Sequence, residues 1–196
     1  MLYDRKAYAL VEIGSQCWFK ENLASDNYRN GDAIPGGLTD SQWTTTLQGA
    51  QTYWGEGWWW AGTGVNLSTY GRLYNFYAVA DPRGLCPAGY HVPSDDEWST
   101  LTNFLGGNYV ADALKSSPTD VPAWDGTNSS GFSALPGGFR SASSGYFGSL
   151  GDYGYWWSSS PSGSNAWYRL LSSGYSDVYR YSNDVRYGFS VRCVRD

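Results

Sequence analysis

The chain has 196 residues, the size of one larger domain, and that is long enough to bury a core of its own. Charged residues are only 16 % against 18 % aromatics, with 11 Trp and 17 Tyr, a composition that excludes disorder. Thirteen basic and 18 acidic side chains leave a net charge of −5, which argues against nucleic acid as a partner, and no run approaches the roughly 18 apolar residues of a membrane helix.

In chain order, Met1 to Leu10 lacks the apolar core of a signal peptide. Tyr8–Ile13 reads as a strand ending at Gly14, and Gln16–Phe19 continues it. Asp26–Gly64, rich in Gly, Thr, Asn and Trp, reads as a long ordered loop that contains Trp58, Trp59 and Trp60. The helical spacing of Leu73, Phe76, Tyr77 and Ala80 predicts a helix over Arg72–Ala80, stopped by Asp81-Pro82. The strongest helix signal follows Pro93: Ser94 and Glu97 have capping-box spacing, Asp95, Asp96 and Glu97 suit the helix dipole, Trp98, Leu101 and Leu105 recur, and Gly106-Gly107 is the stop. A short helical piece is expected around Val110–Lys115. From Gly137 on, short runs of Tyr, Trp, Val and Phe alternate with Gly/Ser/Asn/Asp clusters, the pattern of short antiparallel strands. Strand-rich ends around a helical middle, without repeat or linker, predict one α+β domain over residues 1–196.

The chemistry is limited. One His (His91) and three Cys (Cys17, Cys86, Cys193) are too few for a His/Cys zinc cluster, and no phosphate-binding or dinucleotide motif occurs. His91 reads as a hydrogen-bonded structural imidazole rather than a general base, and the acidic residues after Ser94 are explained by capping.

Five motifs carry a resemblance: Ile13-Gly14-Ser15-Gln16-Cys17-Trp18-Phe19-Lys20-Glu21-Asn22-Leu23, Gly71-Arg72-Leu73-Tyr74-Asn75-Phe76-Tyr77-Ala78-Val79, Cys86-Pro87-Ala88-Gly89-Tyr90-His91-Val92-Pro93-Ser94-Asp95-Asp96-Glu97-Trp98, Gly131 to Arg140 (GFSALPGGFR), and Gly188-Phe189-Ser190-Val191-Arg192-Cys193. In this order, over roughly residues 3–196, the chain resembles the Fibrobacter succinogenes major paralogous domain family. That family is more distantly similar to the formylglycine-generating-enzyme branch of the C-type lectin fold. The resemblance implies a C-type lectin-like fold with long ordered loops and a relation to variable proteins diversified by retroelements. In those proteins the C-terminal portion presents a mutated ligand-binding face, and adenine-directed mutagenesis yields Tyr, Ser, Asn, Asp, Gly and Leu but not Lys, Glu, Gln, Met or Trp. It also implies a Cys86–Cys193 disulfide and hence an oxidising location. Closing about 107 residues contributes on the order of 4 kcal/mol in the chain-entropy model. From the residues alone, two buried thiols remain the alternative, and Cys17 is read as buried and inert. The reactive Cys pair of the enzymes has no counterpart in Tyr153–Leu171, so no catalysis is expected. Calcium-lectin sugar signatures are absent. No cofactor is expected beyond a structural calcium near Asp120, Asp125 and Asn128, where relatives of the wider fold hold one.

Residues 141–187 contain eight Tyr and many Ser, with no Lys, Glu, Gln, Met, His, Thr or Ile. Tyr, Ser, Gly and Asn dominate antibody binding loops, where Tyr gives large contact area at low entropy cost. Alternatively, the segment is a Gly/Ser-rich sheet whose Tyr merely cover solvent-facing positions. Trp156, Trp157, Ser158, Ser159, Trp167, Val178, Phe189 and Val191 read as core. The candidate ligand-binding face comprises Tyr146, Tyr153, Tyr155, Asn165, Tyr168, Leu170, Ser172, Ser173, Tyr175, Ser176, Asp177, Tyr179, Tyr181, Asn183 and Asp184. Alternation places Asp177, Tyr179 and Tyr181 on one side of their strand and Val178 and Arg180 on the other. Residues 138–196 carry six Arg and four Asp. Either this face is neutral to slightly basic, or, as favoured here, Arg140, Arg169, Arg180 and Arg192 brace the fold.

The function expected is non-catalytic ligand binding by a receptor-binding or adhesin-like variable protein on a virion, on a cell surface or outside the cell. Its partner would be a protein or glycan on a host or neighbouring cell, without nucleic acid or membrane insertion. The alternative is a non-diversified surface or secreted domain of the same family with a structural or carbohydrate-binding role, for which the Trp-rich loop would be the contact region.

Overall fold

The computed structural model of the protein describes residues 1–57 and 65–196, so the expectations for Trp58, Trp59 and Trp60 lie outside it. The architecture is α+β, with more sheet than helix. Leu10–Ile13 and Gln16–Phe19 form a tight hairpin in which Ile13 faces Gln16. Its turn needs a positive φ at Gly14 (62°), and a Cβ there would lie 2.9 Å from the Phe104 ring. Val194–Arg195 lies between this hairpin and Tyr90–His91, so the first and last strands of the matched motifs share a four-stranded sheet.

The second sheet has five strands, in the order Tyr179–Asp184, Asn165–Ser172, Tyr153–Ser162, Gly137–Arg140, Phe147–Leu150. All pairings are antiparallel except Tyr153–Ser162 with Gly137–Arg140. The helix Asp95–Leu105 packs against this sheet. Ser94 Oγ accepts from the Glu97 amide, the Glu97 carboxylate accepts from the Ser94 amide, and Gly106 closes the end with φ 120°. Ala111–Leu114 is the short helical piece expected nearby.

Two expectations need correction. Arg72–Ala80 is not one helix. Leu73–Tyr74 is a strand on Gln51–Thr52, Tyr74 also bridges to Phe189, and the helix covers only Phe76–Val79 under an Asn75 cap. Strand pairing from distant segments overrides the local 3.6-residue spacing. Nor is Asp26–Gly64 only loop, since it contains the helix Asp40–Thr45, started by a Thr39/Gln42 capping box and anchored by buried Trp43. A further helix, Val65–Tyr70, is likewise unforeseen.

Two cores flank the long strand Tyr153–Ser162, and adjacent tryptophans serve both. Trp157 enters the core of Phe19, Tyr74, Phe76 and Phe189, where Cys86 and Cys193 form a disulfide. Trp156 enters that of Trp18, Trp98, Leu101 and Phe132. Cys17 is buried and unpaired. Between the cores lies Arg192, fully buried. Its guanidinium donates to Asn22 Oδ1 (3.1 Å) and to the carbonyls of Phe19 (3.4 Å), Ser133 (2.8 Å) and Phe132, and it stacks over the Phe132 ring at 4.1 Å. Asn22 Oδ1 also accepts from Trp156 Nε1 (2.9 Å), and Asn22 Nδ2 donates to the Tyr70 carbonyl. Burial pushes the guanidinium pKa down to about 9, still above neutrality. Replacing Arg192 by Met strands several buried acceptors and is expected to cost at least about 3 kcal/mol. Urea denaturation measures this, and a loss under about 1 kcal/mol would contradict the hub role.

His91 joins the helix start to the last strand. Nδ1 lies 2.7 Å from Asp196 Oδ1 and Nε2 lies 2.8 Å from Glu97 Oε1. Partial burial opposes its charge, but the two carboxylates outweigh this and raise its pKa above the usual imidazole value. A raised folded-state pKa stabilises the fold below the unfolded value of roughly 6.5, and that contribution fades as pH rises through the raised pKa. Tm is therefore expected to fall as pH rises above about 6.5, with His91→Gln flattening that slope in a thermal-melt series.

Candidate functional site

Cross-strand register sorts the candidate residues. Tyr155, Leu170 and Tyr179 lie opposite one another on three adjacent strands, as do Trp157, Tyr168 and Tyr181 in the next row. Directly opposed residues share a face, so Tyr153, Tyr155, Tyr168, Leu170, Ser172, Tyr179, Tyr181 and Asn183 occupy one side of the ribbon. The rings run continuously across four strands: Phe139 to Tyr155 at 5.4 Å, Tyr155 to Tyr168 at 6.1 Å, Tyr168 to Tyr181 at 6.2 Å, and Tyr181 to Tyr179 stacked at 5.8 Å with 9° between planes. These separations fall in the range where aromatic pairs attract beyond area burial.

Exposure grades along this face. Tyr181 is 49 % exposed and Tyr153 36 %, and Tyr179 is partly covered. Tyr155 is half-buried against the core. Tyr168 and Ser172 are buried, contrary to their expected place on an accessible face. Both sit on Asn165–Ser172, a central strand, and Tyr168 lies against Phe189 and Trp157. Burial pushes the Tyr168 hydroxyl up to about 12.

Two candidates point the other way. Asn165 and Asp184 are opposed partners in the alternate phase, shared with Arg169 and Arg180. Asp184 is also held by Arg186 at 2.6 Å, while the Arg186 guanidinium donates to the Thr44 carbonyl. Tyr146 is exposed but lies beside the opposite sheet edge, with no ring contact to the row among the described residues. Alternation for residues 177–181 holds: Tyr179 and Tyr181 stack, Val178 is buried, and Arg180 turns to Asp95.

Ser173, Tyr175, Ser176 and Asp177 form the turn between the last two strands of this ribbon, and it is firmly seated. Lys115, 1 % exposed, donates to the Ser172 and Tyr175 carbonyls and pairs with Asp112 (3.2 Å) and Asp125 (2.9 Å). Ser176 Oγ donates to Asp112, and Trp124 Nε1 donates to Ser173 Oγ. Tyr175 remains 57 % exposed. The Val178 amide donates to the Asn108 carbonyl, which sets Tyr109, 78 % exposed, beside this turn. Sequence reasoning missed Tyr109; the available signal was a large aromatic in a polar Gly-Asn turn.

The reverse side of the ribbon is fixed by charge. Asp95 receives Arg169 Nη1 at 2.6 Å and Arg180 Nη2 at 2.8 Å, and Arg180 lies 3.6 Å over Trp167. Arg140, buried at the other end of the sheet, donates to the Gly145 and Leu38 carbonyls and pairs with Asp40. Arg140, Arg169, Arg180 and Arg192 therefore brace the fold and do not make the tyrosine face basic.

Near the proposed calcium loop, Asp120 accepts from the Ser117 amide and Asn128 Nδ2, and Asp125 is taken by Lys115 and the Gly174 amide. Among the described residues no group of three His, Cys, Asp or Glu is arranged to hold a metal ion, and no helix is long and apolar enough to cross a membrane.

The gradient of exposure predicts a gradient of tolerance. Tyr168→Ala should cost about 2–4 kcal/mol, whereas Tyr181→Ala should stay within about 1 kcal/mol. Equal losses in denaturant titrations would mean that the outer tyrosines are packing residues as well.

No curated protein and no solved structure matches this chain. A family model, the Fibrobacter succinogenes major domain, matches residues 11–195, which takes in both sheets and the whole tyrosine face. With nearly its full length so matched, the chain belongs to the Fibrobacter succinogenes major domain family.

Proposed function

We propose that this domain is a non-catalytic binding module of C-type lectin-like architecture that contacts a protein or glycan ligand through its C-terminal tyrosine face. The observation that carries this reading is the division of labour within one ribbon. Arg169, Arg180, Trp156 and Trp157 are locked by burial or ion pairing, while Tyr153, Tyr179, Tyr181 and the turn residue Tyr175 offer aromatic area to solvent from rigid backbone. Placing contact residues on a seated scaffold limits the entropy lost on binding. The C-type lectin-like part draws support from the N-terminal hairpin Leu10–Phe19 sharing a sheet with the last strand, Val194–Arg195, and from the Cys86–Cys193 bridge. The bridge also supports a location outside reducing compartments, at a cell or virion surface.

The retroelement part of the proposal makes this face variable between individuals. Its test is to sequence codons 145–187 across a natural population together with the neighbouring DNA. Substitutions at adenines of the codons for Tyr153, Tyr175, Tyr179 and Tyr181, sparing Trp156, Trp157, Arg169 and Arg180, with a near-identical template repeat nearby, are the expected result. An invariant segment without a repeat would overturn diversification and leave a fixed surface domain.

A further inference from the structure

The protein uses one recognition unit repeatedly within its own fold, both buried and at the surface: a cation laid over an aromatic ring and paired at the same time with an aspartate. Arg180 lies 3.6 Å over Trp167 and pairs with Asp95. Arg140 lies 4.6 Å over Trp43 and pairs with Asp40. Arg83 lies 4.0 Å over Tyr28 and pairs with Asp81. Lys115 lies 5.5 Å from the Trp124 ring and pairs with Asp125. All four meet the geometry of cation–π attraction, and the aspartate supplies the Coulomb part.

On the tyrosine face the same unit stands two-thirds built. Tyr179, partly covered, stacks on the solvent-facing Tyr181, and the Asp177 carboxylate lies within reach of the Tyr179 hydroxyl. Asp152, exposed, lies beside the same turn, its carbonyl accepting from the Ser173 amide. Neither Asp152 nor Asp177 has a cation partner among the described residues. Every nearby cation is already engaged: Arg180 on Asp95 at the reverse side, Arg186 on Asp184, and buried Lys115 between Asp112 and Asp125.

We infer that the ligand of this face is a polypeptide segment presenting arginine or lysine side chains, one of which completes the aromatic–aspartate pair of Tyr179 and Asp177 beside Tyr181. This rests on the reading of the face as the binding surface and adds the chemistry of the partner. Four carboxylates against one buried ammonium around the 173–177 turn also draw such a segment in.

The test titrates the whole domain with three peptides of equal length, Ac-(Arg-Gly)4-NH2, Ac-(Glu-Gly)4-NH2 and Ac-(Ser-Gly)4-NH2, and screens it on an array of neutral glycans. Binding is read by calorimetry and amide chemical shifts. The arginine peptide alone should bind, with Asp177→Asn and Tyr179→Leu each weakening it about fivefold or more, and with affinity falling as salt is raised. The control is Glu12→Gln, which removes the same charge from an exposed residue of the other sheet and should leave binding unchanged. Equal weakening by Glu12→Gln and Asp177→Asn would overturn the inference in favour of diffuse net-charge attraction, and absence of binding by the arginine peptide would overturn it outright. A neutral glycan or the serine peptide bound through Tyr179 and Tyr181, but indifferent to Asp177→Asn, would overturn the cationic partner while sparing the face. Shifts that map elsewhere and survive Tyr179→Leu and Tyr181→Leu would overturn the face itself.

Discussion

The fold turns on a single buried guanidinium. Among the described residues Arg192 has no carboxylate partner; its charge is met by backbone carbonyls, the Asn22 side chain and the face of Phe132. Those acceptors come from the N-terminal hairpin and from the loop before the five-stranded sheet, so one side chain ties the two sheets together. A buried charge satisfied in this way specifies an arrangement sharply, because any shift of one element leaves a donor or acceptor unpaired. Trp156 shares Asn22 with Arg192, which couples the hub directly to the long strand carrying Tyr153 and Tyr155.

In the C-terminal segment arginine is largely a bracing material. Arg140, Arg169 and Arg192 are buried, and Arg180 is committed to Asp95. Guanidinium suits this use because it is weakly hydrated, planar, and able to stack and donate at once. The result is a domain whose formal charge map misleads: Arg140, Arg169 and Arg192 lie inside and Arg180 on the reverse side, so none of these four charges reaches the aromatic face.

Local physics made some elements readable from the residues. The helix Asp95–Leu105 carries both of its end signals within its own sequence, and the hairpin around Gly14 is equally self-contained. Bracing by the four arginines was readable because a Tyr/Ser-rich sheet with few other charges leaves them little else to do. What failed depended on partners far along the chain. Leu73 and Tyr74 have helical spacing but are captured as strand by Thr52, Gln51 and Phe189. The helix Asp40–Thr45 hides its capping box in a threonine-rich stretch with one buried apolar residue, Trp43. At the site, residue type identified the tyrosines but not their depth: Tyr168 and Tyr181 are opposite partners, yet one lies on a central strand and the other on an edge strand. The pairing of Cys86 with Cys193 came through the family resemblance, since spacing alone leaves two thiols.

The interleaving of tyrosines with bracing residues has a consequence for how this ribbon can change. Tyr168 and Leu170 alternate with Arg169, and Tyr179 and Tyr181 with Arg180, so the two functions are separated by one residue of phase. A single insertion or deletion within residues 165–184 would turn the guanidiniums outward and drive tyrosines against the helix. The ribbon therefore admits replacement but not resizing. Antibody loops adapt by changing length as well as composition, whereas this surface keeps a fixed outline and a fixed number of solvent-facing positions, and any change it admits is a change of side chain alone.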